Sequence, residues 1–248
     1  MNSIKLSIVI PVLNEESSID RSYSRLKEKL KKLQKLNLIC DYEVIYIENN
    51  SKDMSWNKLI TIGKYDQLVT VLQTATSGIG LALKKGLTRA KGDYVYFTAV
   101  DHPFNFEDLK RFLMLIDKYD LVFASKNNPK SIYQAAFNRK FASQFLSGTV
   151  KLLFNLPLTD TQGTFLISQT ALIKILPHCN SSGPFFQTQL AINANKLGLR
   201  IGEVPITYRS VHNSSSFSLF RDGSHYFYEV IRARIKLPTW RNLSYLKS

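Results

Sequence analysis

Short apolar runs that stop at polar or small residues alternate along the first half of the chain with stretches where leucines recur at helical spacing. Residues 6–11 read as a first strand, followed by Asn14, Glu15 and Glu16. Ser17 or Ser18 then caps a helix running to about Leu36, with Leu26, Leu30 and Leu33 on one face and Lys27, Lys29, Lys31, Lys32 and Lys35 on a solvated one. Residues 42–47 form a second strand that ends in Glu48, Asn49, Asn50 and Ser51. Residues 56–62 form a short helix and residues 68–72 a third strand. The helix over 78–90 opens on small residues whose free amides could face a phosphate. After Gly92, the run Tyr94, Val95, Tyr96, Phe97, Thr98 is β-branched or aromatic and stops at Asp101, as a strand buried on both faces would. Pro103 ends the extended segment, Asn105 caps a helix from about Phe106, and residues 121–124 make a fifth strand.

Beyond Lys126 the pattern changes. Residues 127–139 read as a polar, basic loop, 141–154 as a helix, 158–163 as a polar turn, 164–168 as a strand, 183–197 as a helix and 200–208 as a further strand. The alternation predicts an α/β fold, a mostly parallel central sheet flanked by helices, in one domain over residues 1–209. Residues 210–248 read as a mobile loop and a basic, aromatic tail, with an amphipathic helix over 223–235 that Pro238 ends. Tyrosine, tryptophan and phenylalanine rings interleaved with arginines suit a membrane interface; packing on the core with charges in water is the alternative.

A chain of 248 residues, 44% of them hydrophobic, can fill a sizeable core. Its formal charge of +14 calls for an anionic partner such as a nucleotide, a lipid phosphate or a membrane surface. The basic residues are dispersed and form no nucleic-acid module, so nucleic acid is not expected. Cys40 and Cys179 are too few for a disulfide framework, which points to a reducing compartment. The opening apolar run is too short for a signal peptide or a membrane span, and no later run is long enough to cross. The expected location is cytoplasmic, free or peripheral on the cytoplasmic face of a membrane. In open α/β sheets ligands bind at the C-terminal ends of the strands, where Asp101, Glu48 and Asn49 all fall.

Several separated motifs occur together: SIVIPVLNEE, YEVIYIENNSKD, GLALKKGLTRAKGDYVYFTAVD, NRKFAS, LPLTDTQGTF and GLRIGEVPITYR. Over roughly residues 5–208 the chain resembles the family 2 glycosyltransferases of the GT-A fold. It is most similar to the branch that makes polyprenyl-phosphate sugars, the dolichyl-phosphate mannose and glucose synthases. The resemblance implies transfer of a sugar, with inversion, from a UDP- or GDP-linked donor to a polyprenyl phosphate or another acceptor. It implies that Pro11, Asn14, Glu15 and Gly78 line the donor, that Glu48 and Asn49 read base and ribose, and that Lys126 and Arg139 face phosphate. It also implies that Asp101 holds Mg²⁺ or Mn²⁺, and that Asp160 and Gln162 belong to the catalytic set. Glu15 is alternatively a helix N-terminal carboxylate, and Asp160 a turn residue bonded to its own backbone. Glu203 reads as an anchor from strand to helix, and His102 as incidental. An acceptor phosphate is already ionised at neutral pH, so no general base is required.

The departures from the family cluster at the donor site. Ala99 stands where the DxD motif has its first aspartate, and Glu48 and Asn49 replace paired aspartates. Ile79 replaces a basic residue, and Gln187 and Gln189 replace acidic ones. Fewer carboxylates should weaken the hold on a hard cation. A second reading is therefore a catalytically impaired nucleotide-sugar-binding or regulatory subunit. The oligomeric state is left open.

Overall fold

A computed structural model describes residues 4–100, 106–134, 137–209 and 221–236. Strands and helices alternate as β1 (Ile4–Val12), α1 (Ile19–Lys35), β2 (Ile39–Glu48), α2 (Ser55–Tyr65), β3 (Val69–Gln73), α3 (Ile79–Arg89), β4 (Tyr94–Phe97), α4 (Phe106–Leu113) and β5 (Leu121–Ser125). Then follow β6 (Ile132–Gln134), α5 (Phe137–Phe154), β7 (Phe165–Ser168), α6 (Gln169–Ile175), α7 (Phe185–Lys196), β8 (Ile201–Pro205), β9 (Thr207–Arg209) and α8 (Arg221–Lys236).

Seven strands form one sheet in the order β3-β2-β1-β4-β7-β5-β8, and β6 pairs with β9 in a small sheet of its own. Strand side chains alternate between two cores. Val9, Ile45, Ile47, Val95, Phe97, Phe123 and Phe165 face one side together with residues of α3, α6 and α7. Leu6, Ile8, Val44, Tyr46, Tyr96, Val122 and Leu166 face the other with residues of α1 and α4. Both faces are covered, which is why these strands read as unbroken apolar runs. Helix α8 buries Tyr226 and Val230 in the first core and packs against α5 and α7.

The sheet is mostly parallel, as expected, and the structure adds one detail to that expectation and corrects several others. β7 runs antiparallel to both of its neighbours, β4 and β5, within an otherwise parallel sheet. The stretch 200–208 is two strands in two sheets: the chain turns at Ile206, whose amide donates to Ser131 Oγ and whose carbonyl accepts from the Ile132 amide. The supposed loop 127–139 holds β6, and α5 starts at Phe137. Ser18 occupies the N-cap of α1, but its backbone is already near-helical and its hydroxyl makes no cap. The Glu15 carbonyl takes the Ser18 and Ile19 amides instead. The proposed cap Asn105, His102, the loop 210–218 and Pro238 lie outside the described residues.

One lysine of the supposedly solvated face is tied down. Lys27 Nζ lies 2.6 Å from Asp66 Oδ2, at the end of α2, and over the Tyr42 ring, and Tyr23 Oη donates to the same carboxylate at 2.5 Å. Burial opposes the Asp66 charge, but hydrogen bonds from Lys27, Tyr23 and the Leu68 amide outweigh it and hold the carboxyl below its ordinary range. A carboxyl with a depressed folded-state pKa gives stability above its unfolded value, near 3.9, and loses it as pH falls through the folded value. Asp66→Asn should therefore lower stability at neutral pH by about 1–2 kcal/mol and flatten the acid limb of a Tm-against-pH curve. An unchanged acid limb would show that the cluster carries no pH-linked stability.

Candidate active site

β1, β2, β4 and β5 are mutually parallel, so their C-terminal ends lie at one edge of the sheet. β7 is antiparallel, so the turn that precedes it enters at that same edge. The edge thus gathers Asn14 and Glu15 after β1, Glu48 and Asn49 at the end of β2, Lys126 after β5, and Asp160 and Gln162 before β7. Pro11 lies in β1 opposite Ile47. Asp101 belongs to the segment after β4 but lies outside the described residues. Arg139 is in the first turns of α5, and its side chain is likewise not described.

The loops after β1 and β2 are laced together. Asn14, in the left-handed region with φ 54°, accepts from the Lys52 amide at 2.8 Å and donates its own amide to Ser51 Oγ. Asparagine tolerates that backbone better than most residues. The Glu15 amide donates to Ser55 Oγ, and Glu16 accepts from the Met54 amide.

Glu48 is 1% exposed. Its Oε1 accepts from the Ser51 amide and its Oε2 from Gln73 Nε2 at 2.9 Å. Burial works against its charge, yet these donors prevail and hold its pKa below the ordinary value. Asn49 Oδ1 accepts from the Gly78 amide at 2.9 Å and from Thr74 Oγ1 at 3.1 Å. Its acceptor oxygen therefore pins the turn into α3, a task that an amide does as well as a carboxylate without burying a charge.

That turn corrects the expectation of free amides. The Gly78 amide goes to Asn49 and the Gly80 amide to the Ser182 carbonyl at 2.8 Å. A Cβ on Gly80 would lie 2.2 Å from the Ser181 carbonyl oxygen, so here the small residues admit a neighbouring main chain. The two glutamines hold backbone as well. Gln189 Oε1 accepts from the Asn180 and Ser181 amides, and buried Gln187 Oε1 accepts from the Gly163 amide at 2.6 Å.

Asp160 is 1% exposed and makes the turn given above as its alternative reading. Oδ1 accepts from the Gln162 amide at 2.9 Å, closing an Asx turn. Oδ2 lies 4.0 Å from Lys126 Nζ and makes no hydrogen bond among the described residues. Burial pushes the Asp160 carboxyl up, with Lys126 pulling the other way. Gln162 Nε2 points into the protein, donating to the Pro184 carbonyl and to Thr188 Oγ1, which also meets Thr161 Oγ1 and Tyr226 Oη. Glu203 ties β8 to two loops, and not to a helix: it accepts from Asn128 Nδ2 and from the amide and hydroxyl of Thr159. It thereby fixes both segments that carry Lys126 and Asp160. Sequence reasoning missed Thr159, Thr188 and Tyr226 as parts of the site; Thr159 lies within the motif LPLTDTQGTF, whereas the spacing of the other two gave no signal. Among the described residues no three His, Cys, Asp or Glu side chains converge as metal ligands. Ala99, exposed just past β4, supplies none.

The model of the Glycosyl transferase family 2 family matches residues 7–176. The chain is 27% identical over 262 residues to the dolichyl-phosphate beta-glucosyltransferase of Dictyostelium discoideum, covering 97% of this chain and 78% of that protein. It is 24% identical over 237 residues to the enzyme of the same name from Saccharomyces cerevisiae (strain ATCC 204508 / S288c), covering 85% and 69%. Its fold matches glucosyl-3-phosphoglycerate synthase from Mycobacterium tuberculosis with a TM-score of 0.70 at 19% identity, over 95% of this chain and 81% of that one. With that sheet order, that edge and the family match over most of its length, the chain belongs to glycosyl transferase family 2 and has the GT-A fold.

Proposed function

We propose that the protein transfers glucose from UDP-glucose to a polyprenyl phosphate, with inversion, at the C-terminal edge of its sheet. One observation carries this reading: strands β1, β2 and β5 and the turn before β7 all deliver polar residues to that edge. The names of the two dolichyl-phosphate beta-glucosyltransferases favour glucose and a lipid phosphate. Solved complexes of the mycobacterial synthase with UDP-glucose and Mn²⁺ favour uridine and a divalent ion.

An oxygen of the acceptor phosphate attacks the anomeric carbon while the bond from that carbon to the diphosphate breaks, and the electron pair leaves with UDP. In-line displacement inverts the centre, and no proton needs to move. Pro11, Asn14 and Glu15 line the nucleotide, the fixed Glu48 carboxylate meets its polar edge, and the Gly78 turn borders the donor. Lys126, facing Asp160 across 4.0 Å, offers its ammonium to phosphate oxygens. Arg139 does the same from α5, as a fork that can grip two oxygens at once. Gln162 keeps the Asp160 turn in place through Thr188. A cation held by Asp101 and the diphosphate oxygens would offset the charge growing on the leaving group. Ala99 would add no ligand, so oxygens of the donor and of water would be needed beside Asp101. The lipid acceptor fits a protein working at the cytoplasmic face of a membrane.

A melting-temperature panel tests donor and metal together. UDP and UDP-glucose with Mn²⁺ at about a hundredfold excess over Kd should raise Tm by roughly 5–10 °C, with a smaller rise for GDP compounds. No shift with any nucleotide diphosphate, with or without metal, would sink the reading.

A further inference from the structure

Two helices that touch one another carry exposed apolar rows that no other described residue covers. On α5, Phe145 and Leu152 are 61% and 83% exposed, with Gly148 between them, spaced i, i+3, i+7 along one face. On α8, Tyr228, Ile231 and Ile235 repeat the same spacing, at 61%, 36% and 78% exposure. The opposite faces are the ones in the core, where Val150 and Phe154 of α5 and Tyr226 and Val230 of α8 are buried. The two helices pack together, so both rows belong to one side of the molecule.

Charge decides what such a face meets. The α5 sequence has three basic residues and no acidic one. That of α8 has four Lys or Arg and two acidic residues. One of those two, Glu229, is turned inward, accepting from Ser181 Oγ at 3.0 Å with His225 Nδ1 at 3.5 Å. Arg232, beside the α8 row, and Lys151, beside the α5 row, are exposed. Apolar side chains in the middle with cations beside them match the boundary between lipid headgroups and acyl chains.

We infer that the joint outer face of α5 and α8 seats on an anionic lipid bilayer, with its apolar rows below the headgroups and its basic side chains among them. Exposure and charge carry this inference; the choice of a bilayer over a protein partner also rests in part on the proposed lipid acceptor. The same α8 reaches the site from its inner face, where Tyr226 Oη meets Thr188 Oγ1 at 2.7 Å and Thr188 holds Gln162. The docked helix is thus one residue removed from the Asp160 turn.

Co-sedimentation of the full chain with vesicles tests the inference without any donor present. Vesicles of phosphatidylcholine with about one third phosphatidylglycerol should retain the protein, and binding should fall as salt rises to about 0.5 M. The double variant Leu152→Glu/Ile235→Glu should lose at least about tenfold in vesicle binding with Tm unchanged, because both side chains stand in solvent. Arg232→Glu, which leaves the apolar rows intact, should weaken binding to anionic vesicles alone. No retention of the wild type, equal retention on pure phosphatidylcholine, or a double variant that binds as well as wild type would overturn the inference. So would a wild-type dimer in light scattering that the double variant converts to monomer, since the face would then belong to a second copy. Transfer of glucose to a short, water-soluble polyprenyl phosphate should be unchanged in the double variant. If the wild type binds vesicles but transfers nothing to that acceptor, the proposed reaction fails and the docking surface stands.

Discussion

Replacing Asp101 with alanine is expected to lower kcat/KM for glucosyl transfer by about two to three orders of magnitude, the usual cost of removing one electrostatic stabiliser of a transition state. The size of the effect follows from Ala99. Where two carboxylates flank a metal, losing one leaves a partner; here the other position is an alanine that offers no ligand. Without Asp101 the cation would lose the one carboxylate proposed to hold it beside the donor phosphates, and the charge of the leaving diphosphate would be less well compensated. Initial rates over a Mn²⁺ titration check this: activity should stay low at every metal concentration. The converse change, Ala99→Asp, should lower the Mn²⁺ concentration needed for half-maximal rate. An Asp101→Ala enzyme within about threefold of wild type would mean that this carboxylate neither holds the ion nor stabilises the leaving group.

The largest expected loss of stability comes from adding a single methyl group. Gly80→Ala puts a Cβ 2.2 Å from the Ser181 carbonyl oxygen, 2.8 Å from the Ser182 carbonyl carbon and 2.9 Å from the Gly183 oxygen. All three are backbone atoms, which cannot swing aside as the tip of a side chain would. Segment 181–183 is also held from behind by Gln189 and by Glu229 of α8, so it cannot retreat cheaply. The cost should be about 3 kcal/mol or more, a fall in Tm of roughly 6–12 °C for a chain of this size. Gly148→Ala is the matched control. Nothing lies within 4 Å of its Cβ position, so the helix preference of alanine should leave the protein as stable or up to about 1 kcal/mol more so. A Gly80→Ala protein melting with the wild type would show that the 181–183 segment does not seat on α3.

How far sequence reading reached depended on whether a feature was local. The first four strands could be located because each is rich in β-branched, aliphatic or aromatic residues and is closed by polar ones; β1, β2 and β4 are largely buried, whereas β3, at the sheet's edge, buries only Val69. The direction of β7 could not, since Phe165, Leu166, Ile167 and Ser168 carry the same pattern read either way and no tight turn joins them to a neighbour. The split of 200–208 was hidden for a similar reason. Pro205 is the local mark of a break, but the turn at Ile206 is held by Ser131, 75 positions away. At the site, residue types were legible and their uses were not. Asn49, Gln187 and Gln189 read as lost acids, yet each offers a carbonyl oxygen to a backbone amide and needs no charge to do so. The link from Tyr226 through Thr188 to Gln162 joins three distant segments and left no trace in spacing. The departures that raised the idea of an inactive subunit thus have, in these three residues, a structural explanation. The family match and the glucosyltransferase relatives favour the enzyme.

The central claim is that the polar edge of this sheet moves a hexose from a nucleotide to a lipid phosphate. Incubating the purified chain with UDP-[¹⁴C]glucose, Mn²⁺ and a polyprenyl phosphate in detergent, then extracting into organic solvent, measures that step alone. Label should accumulate in the organic phase as a lipid-linked glucose, released UDP should match it one for one, and both should be lost with Asp101→Ala. Release of UDP and free glucose with no labelled lipid, at every acceptor chain length, would contradict the account.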